Sequence, residues 1–293
     1  MLVSKIMNEK SLIELMKSPI GRIKYSCFVS GLYKSILDSR NSSLDSIVFV
    51  ATTGRSGSAS LAKLFSGING CVACHEPYPE MTNDEVSADG KNGRFIYDRV
   101  KAVNVRRDAL SAKHYIETNH LFITNFIEYV AEDFADKLKI IHLMRSPLKV
   151  ATSIYQIGNY PGTIDGNRWW LDYKGNGNHI LLEKELETSH SHPFYKCLWY
   201  WYEVEERIRY WRRKLPSISF VDFKTEQLND YDSVVRLLND LKIDFSNKEI
   251  NEIVNVHENL KTHEKKNLAI SEVEADSMHQ SFQDLLSGKG YTI

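Results

Sequence analysis

The sequence predicts an α/β fold of three layers, with a central, mainly parallel sheet flanked by helices. Two predominantly apolar runs, "SIVFVAT" (46–52) and "LKIIHLM" (138–144), have the length and character of strands buried on both faces of a parallel sheet. Segments of helical pattern lie between the strand-like runs, and such alternation places helices on both faces of one sheet. The 293 residues are 42% hydrophobic and 26% charged, which is enough apolar material for one large core. Residues 1–293 therefore read as a single domain, with 1–44 as an N-terminal helical extension and 159–193 as an insertion.

In chain order, residues 10–38 carry scattered apolar positions interrupted at Pro19-Ile20-Gly21, which predicts two short amphipathic helices. Strand 46–52 leads into a helix from about Ala59 to Gly67, stopped by Gly67 and the Asn69-Gly70 turn signal. A second strand is expected at 70–75, and the polar, Gly/Asn-rich stretch 82–94 reads as a mobile loop. "HYIETNHLFI" predicts a strand at 114–118 and a helix running to about 137. Strand 138–144 is followed by a helix that Ser146 can N-cap, with Pro147 suited to its first turn. Regular pattern is lost over 159–193. It resumes in a long helix at 194–214, with Leu198, Trp201, Val204, Ile208, Trp211 and Leu215 on one stripe. A strand at 217–223 and helices near 230–242 and 247–258 close the domain.

The formal net charge of −1 gives no global field to attract nucleic acid or an anionic membrane. No apolar run approaches the roughly 20 residues that span a bilayer, so no integral membrane segment is expected. Glu9, Lys10 and Glu14 interrupt the apolar residues near the N-terminus, unlike a signal peptide. The expected location is the cytoplasm, with cysteines 27, 71, 74 and 197 as reduced thiols. "CVAC" (71–74) lacks both the second pair of a zinc ribbon and the helix start of a redox motif, and reads as small buried thiols on a strand.

Ligands of such sheets gather at the carboxyl ends of the strands. Strand 46–52 delivers "TTGRSGSAS" to that edge. Gly54 and Gly57 permit tight turns that converge backbone N–H groups on one anion. The helix that follows adds its positive end. Ser56, Ser58 and Ser60 offer hydroxyls, and Arg55 a permanent charge. Taken alone, the loop is equally an ordinary strand–turn–helix joint. A second device lies in "IIHLMRSPLKVATSIY", where Arg145 ends a strand and Ser153 follows about two helical turns later. Two anion-binding devices on one edge suit a ligand with two separate phosphate-type groups.

With these motifs the chain resembles the sulfotransferase family, which uses 3′-phosphoadenosine 5′-phosphosulfate (PAPS) as donor and has a P-loop-like fold. "TGRSGSASL" (53–61) resembles the family's 5′-phosphosulfate loop, in the Arg-Ser-Gly-Ser form of many carbohydrate and bacterial members. "RSPLKVATS" (145–153) resembles its 3′-phosphate motif, and "FVDFKTEQL" lies near the position of a later family segment. The resemblance covers roughly residues 46–228 but not the N-terminal region or 159–193. It implies donor contacts from Gly54, Arg55, Ser56, Gly57, Ser58, Ala59 and Ser60, and 3′-phosphate contacts from Arg145 and Ser153. One position departs from the pattern. Ala59 stands where relatives often have Ser or Thr, leaving that hydroxyl to Ser58 or Ser60.

The resemblance implies in-line transfer of a sulfuryl group to an acceptor hydroxyl on a glycan or small molecule, with adenosine 3′,5′-bisphosphate as product and no metal required. Such transfer depends on alignment and charge stabilisation more than on covalent help from the protein. Arg55 stands where other members have a catalytic lysine. A general base is also needed. Glu76, in "CHEPYP", matches the position of the glutamate base of glycan-acting relatives, and His120, in "IETNHLF", resembles the histidine of the small-molecule enzymes. His75 is a third candidate, and Lys113 and Glu117 are further residues near the edge. Trp169, Trp170 and Tyr173, in the insertion, suit a sugar or phenolic acceptor or simply pin the loop. Two rival readings are a P-loop kinase or NTPase, which needs a Gly-Lys-Ser/Thr ending absent here, and a non-catalytic nucleotide-binding protein.

Overall fold

Strands β1 (Ser46–Ala51), β2 (Cys71–His75), β3 (His114–Thr118), β4 (Leu138–Met144) and β5 (Ser219–Lys224) form one sheet in the order β2-β3-β1-β4-β5. Every pair in it is parallel. The structure, a computed structural model, describes residues 19–86, 91–254 and 268–291. Side chains alternate between the faces of a strand, and β1 shows why its run must be apolar throughout. Ile47, Phe49 and Ala51 pack on one side with Phe122, Phe126, Val130 and Trp199. Val48 and Val50 pack on the other with Leu61, Phe65, Val234 and Leu237. Each such large side chain contributes about 1.5–3 kcal/mol by leaving water. A helix layer covers each face, which gives the three layers expected.

The helices follow mostly as the patterns require. They are α1 (Pro19–Arg40), α2 (Ser58–Ser66), α3 (Asn83–Val86), α4 (Lys91–Ile96), α5 (Ala102–Asp108), α6 (Ile127–Phe134), α7 (Pro147–Ile157), α8 (Ile164–Trp169), α9 (Glu183–Glu187), α10 (Pro193–Lys214), α11 (Tyr231–Asp240), α12 (Asn247–Val254) and α13 (Glu272–Gly288). Pro19 is the first residue of α1, where its missing N–H costs nothing. The first expected N-terminal helix lies largely outside the described residues. The expected loop at 82–94 instead contains α3 and α4, and α4 runs through a π-helical turn (Tyr97–Lys101) into α5. Ser146 occupies the N-cap of α7 without a side-chain capping bond, while Pro147 takes the first turn as expected.

Helix α13 has no counterpart among the sequence expectations. Ser271 caps it by accepting from the Glu274 N–H, and its buried residues are few: Ala275, Phe282 and Leu286. That sparse stripe left little periodic signal. Phe282 nonetheless packs 5.7 Å from the Tyr202 ring of α10. Cys71 and Cys74 are half-buried rather than buried, and they lie on opposite faces of β2 against different core clusters. Strand alternation separates residues three apart in this way, so the two thiols do not meet. Burial pushes the Cys71 thiol up to about 12. Among the described residues, no helix is long and apolar enough to cross a membrane.

Beside the β4–β5 pair, His142 is held between two carboxylates. Its Nδ1 lies 3.1 Å from Asp222 Oδ1 and its Nε2 3.0 Å from Glu205 Oε2 on α10. Burial alone would lower the imidazole, but the hydrogen bonds and charges of Asp222 and Glu205 push it up to about 9. A raised folded value contributes stability that is full below the unfolded value near 6.5 and is lost as pH rises through about 9. Allowing for screening at half-exposed Asp222, the contribution is on the order of 2 kcal/mol. Thermal melts should therefore show the protein losing stability between pH 7 and 9.5, and His142→Asn should flatten that slope. A wild-type Tm that is level or rising over this range would contradict the ion-paired state.

Candidate active site

The turn between β1 and α2 emerges between β3 and β4 at their carboxyl ends, and three segments fix it: the end of β4, helix α10 and the residue just beyond β5. Thr52 Oγ1 donates to the Leu143 carbonyl at 2.7 Å. Gly54 N–H donates to the Tyr200 hydroxyl at 3.1 Å. Thr225 Oγ1, just beyond β5, lies 2.6 Å from the Ser56 carbonyl and 3.0 Å from that of Met144. Arg145 Nη1 donates to the Arg55 carbonyl at 2.5 Å. Trp201 Nε1, on α10, holds the Arg145 carbonyl in turn at 2.9 Å.

Arg55 (φ 68°) and Gly57 (φ 82°) both take left-handed backbone conformations. This costs a non-glycine residue about 1–2 kcal/mol, so Arg55 marks a site held by its surroundings. At position 57 a Cβ would approach Thr225 Cγ2 to 2.9 Å. The left-handed turn orients successive N–H groups toward one point, and the first N–H groups of α2 lack intrahelical acceptors. Ser58 is buried at that helix start, Ser60 is exposed, and Ala59 is half-buried between them. Ser56 is buried, with its hydroxyl 2.5 Å from that of Thr53.

The two motifs converge in space. Arg55 Nε donates to Ser153 Oγ at 3.0 Å, across 98 residues of sequence. Burial and then the neighbouring Arg145 guanidinium lower the Arg55 pKa, partly offset by Glu76. Two half-buried cations that oppose one another form a site that an anion stabilises.

β2 and β3 bring Glu76 and His120 together at the same edge. Glu76 Oε1 lies 2.6 Å from His120 Nδ1, and His120 Nε2 lies 3.0 Å from the Trp169 carbonyl. Each contact joins a ring nitrogen to an acceptor oxygen, so each needs a proton. Burial raises the Glu76 carboxyl, but the His120 hydrogen bond, with the charges of His120, His75 and Lys101, holds it below its ordinary value. Glu76 is therefore held as the carboxylate partner of the pair. Both ring nitrogens are engaged, whereas Glu76 keeps Oε2 for another partner; His75 Nε2 is 3.9 Å away. His75 itself is turned toward Thr118, with Nδ1 3.0 Å from both its carbonyl and hydroxyl oxygens. Lys113 lies at the opposite end of β3, exposed beside Asp244, and takes no part. Glu117 is fully buried and paired with Lys101.

The insertion closes onto this edge. Trp170 is buried, its ring centroid 5.2 Å from that of His120 and 5.4 Å from that of Tyr200. Asn83 donates to the Asn167 and Trp170 carbonyls, both at 2.7 Å, which ties α8 to the segment after β2. Trp170 and Tyr173 are therefore packed into the core, while Trp169 stays half-exposed beside the pair, with Arg168 5.5 Å over its ring. A Cβ on Gly54 would lie 2.0 Å from Trp170 Cζ3. Gly54→Ala is accordingly expected to destabilise the protein by about 1–3 kcal/mol through overpacking. In a Trp170→Leu background it should cost much less, and Tm measured across the double-mutant cycle checks this.

Sequence reasoning missed Lys101, Tyr200, Trp201 and Thr225. Thr225 lay within the quoted "FVDFKTEQL" without a role, and Trp201 lay within the core stripe of α10. Nothing local distinguishes Tyr200 from any buried aromatic.

The family model described as "Sulfotransferase domain" matches residues 45–290 of the chain. No curated protein matches it. Among solved structures, the chain is similar to a sulfotransferase domain from the curacin biosynthetic pathway at 15% identity, covering 85% of this chain and 99% of that one with a TM-score of 0.49. It is also similar to mouse sulfotransferase SULT7A1 complexed with PAP, at 13% identity over 86% and 87% of the two chains, TM-score 0.46. Sulfotransferase STF1 from Mycobacterium tuberculosis H37Rv matches at 10% identity over 90% and 83%, TM-score 0.46.

Proposed function

Since the chain belongs to the sulfotransferase domain family, we propose that it transfers a sulfuryl group from PAPS to an acceptor hydroxyl on a carbohydrate or small metabolite. The observation that carries the donor assignment is the placement of Arg55 and Arg145 together at one strand edge, with the left-handed turn of Gly57 beside them. The residues fit such a donor. The turn 54–58 and the start of α2 hold the 5′-phosphosulfate, with Ser58 and Ser60 as the hydroxyls flanking Ala59. Arg145 and Ser153 hold the 3′-phosphate. The donor supplies an activated sulfuryl group when bound.

The remaining chemistry belongs to the chain's own side chains. Arg55 stabilises negative charge that develops where the donor's bridging oxygen separates. Glu76 Oε2 accepts the proton of the acceptor hydroxyl, and His120 keeps that carboxylate ionised and aimed. Half-exposed Trp169, beside the pair, supports a ring-bearing acceptor, with 159–193 as the acceptor-side segment. The test is transfer of label from sulfur-labelled PAPS across a panel of sugars, phenols and alcohols. Labelled acceptor from wild type, and none from Arg55→Ala, supports the proposal. No labelled acceptor anywhere in a broad panel, with no binding of adenosine 3′,5′-bisphosphate, would refute it.

A further inference from the structure

Lys101 and Glu117 form an ion pair that is almost wholly withdrawn from solvent, with side chains 1% and 0% exposed and Nζ 2.6 Å from Oε1. Lys101 also donates to the carbonyls of Pro77 at 2.9 Å and Pro79 at 3.0 Å, which uses all three of its N–H donors. Glu117 accepts from the Tyr115 hydroxyl at 3.1 Å and the Asn119 amide at 3.2 Å. The same amide donates to the Glu80 carbonyl at 3.1 Å, and Asn119 Oδ1 accepts from the Leu121 N–H. One buried network thus grips residues 77, 79 and 80, just after Glu76, and residues 119 and 121, on either side of His120.

Two physical points give this network a purpose beyond holding the fold. A buried ion pair is weak evidence for stability, because apolar residues of similar volume often do as well. Glu76, moreover, has φ 46°, a left-handed conformation that a glutamate keeps only when its surroundings fix it. We infer that Lys101, anchored by Glu117, is a positioning residue that clamps the backbone after Glu76 and so fixes the carboxylate against His120. The inference rests on the proposed role of Glu76 as base, but the clamp itself can be tested apart from any sulfuryl transfer. The charged or titratable groups facing Glu76 are His120, His75, Lys101, Arg55 and Tyr200.

Lys101→Met alone would strand the Glu117 charge and could unfold the protein. Lys101→Met/Glu117→Gln removes the pair without leaving a buried charge. Carbon-detected NMR, with the Glu76 carboxyl assigned by Glu76→Gln, reads the titration of that group in wild type and in the double variant. The expected result is a Glu76 titration in the double variant that lies at higher pH and no longer moves on His120→Gln, because the carboxylate has left the ring; loss of the Lys101 charge alone would raise it but leave that response intact. The kcat of the double variant should fall about 10- to 100-fold, the cost of a misplaced reacting group, with affinity for adenosine 3′,5′-bisphosphate within two-fold of wild type. A Glu76 titration in the folded double variant that still moves on His120→Gln as it does in wild type would overturn the inference, as would a double variant that cannot fold. Loss of that response in a protein whose wild type transfers no sulfuryl group would uphold the clamp and reject the proposed reaction.

Discussion

Glu76→Gln should lower kcat by about 100- to 10,000-fold, the usual range for loss of a general base, with binding of adenosine 3′,5′-bisphosphate unchanged. Glutamine keeps the carbonyl that accepts from His120 but has no basic oxygen for the acceptor proton. The assignment to Glu76 comes from hydrogen-bond accounting. His120 directs Nδ1 to Glu76 and Nε2 to the Trp169 carbonyl, so its ring has no free lone pair. His120→Gln should therefore shift the acid limb of the kcat profile upward without abolishing turnover. The sign follows from the depressed Glu76 pKa: activity persists as pH falls until it passes through that lowered value, which His120 helps to set. Full activity in Glu76→Gln, with complete loss in His120→Gln, would make the histidine the base.

Arg145→Ala should weaken binding of adenosine 3′,5′-bisphosphate about 10- to 150-fold, the equivalent of about 1.5–3 kcal/mol for hydrogen bonds to a charged group. The guanidinium acts twice in this geometry. On the proposed reading it meets the 3′-phosphate, and it holds the Arg55 carbonyl at 2.5 Å, which keeps the loop in its left-handed turn. A contact specific to the 3′-phosphate predicts that the variant loses its preference for adenosine 3′,5′-bisphosphate over AMP, while AMP binding changes little. Equal weakening of both nucleotides would show that Arg145 acts through the loop alone.

The two motifs of the proposed donor site were legible because their parts are local. Each motif sits where an apolar strand gives way to a helix, and its residue types state the chemistry: glycines for the turn, arginines and serines for the ligand. The proposed base was legible only as alternatives, Glu76, His120 and His75. That Glu76 and His120 form one pair depends on β2 and β3 being neighbours, and strand order is not written in any local pattern. The clamps were harder still. Tyr200 reaches Gly54 across 146 residues and Thr225 reaches Ser56 across 169, each from a segment that reads as ordinary core or connection. Lys101 sits in a π-helical turn within a stretch of weak periodicity, where a lone lysine reads as a surface residue. Helix α13 escaped because three buried positions in seventeen residues make no clear stripe.

On the proposed function, this edge binds a nucleotide carrying separate 5′ and 3′ anionic groups. Isothermal titration of the purified protein with adenosine 3′,5′-bisphosphate, AMP and ATP plus magnesium tests it most directly. The geometry predicts saturable binding of the bisphosphate at 1:1, markedly tighter than AMP, with ATP and magnesium weaker than either. Tighter binding of ATP with magnesium, or no binding of the bisphosphate, would contradict the account.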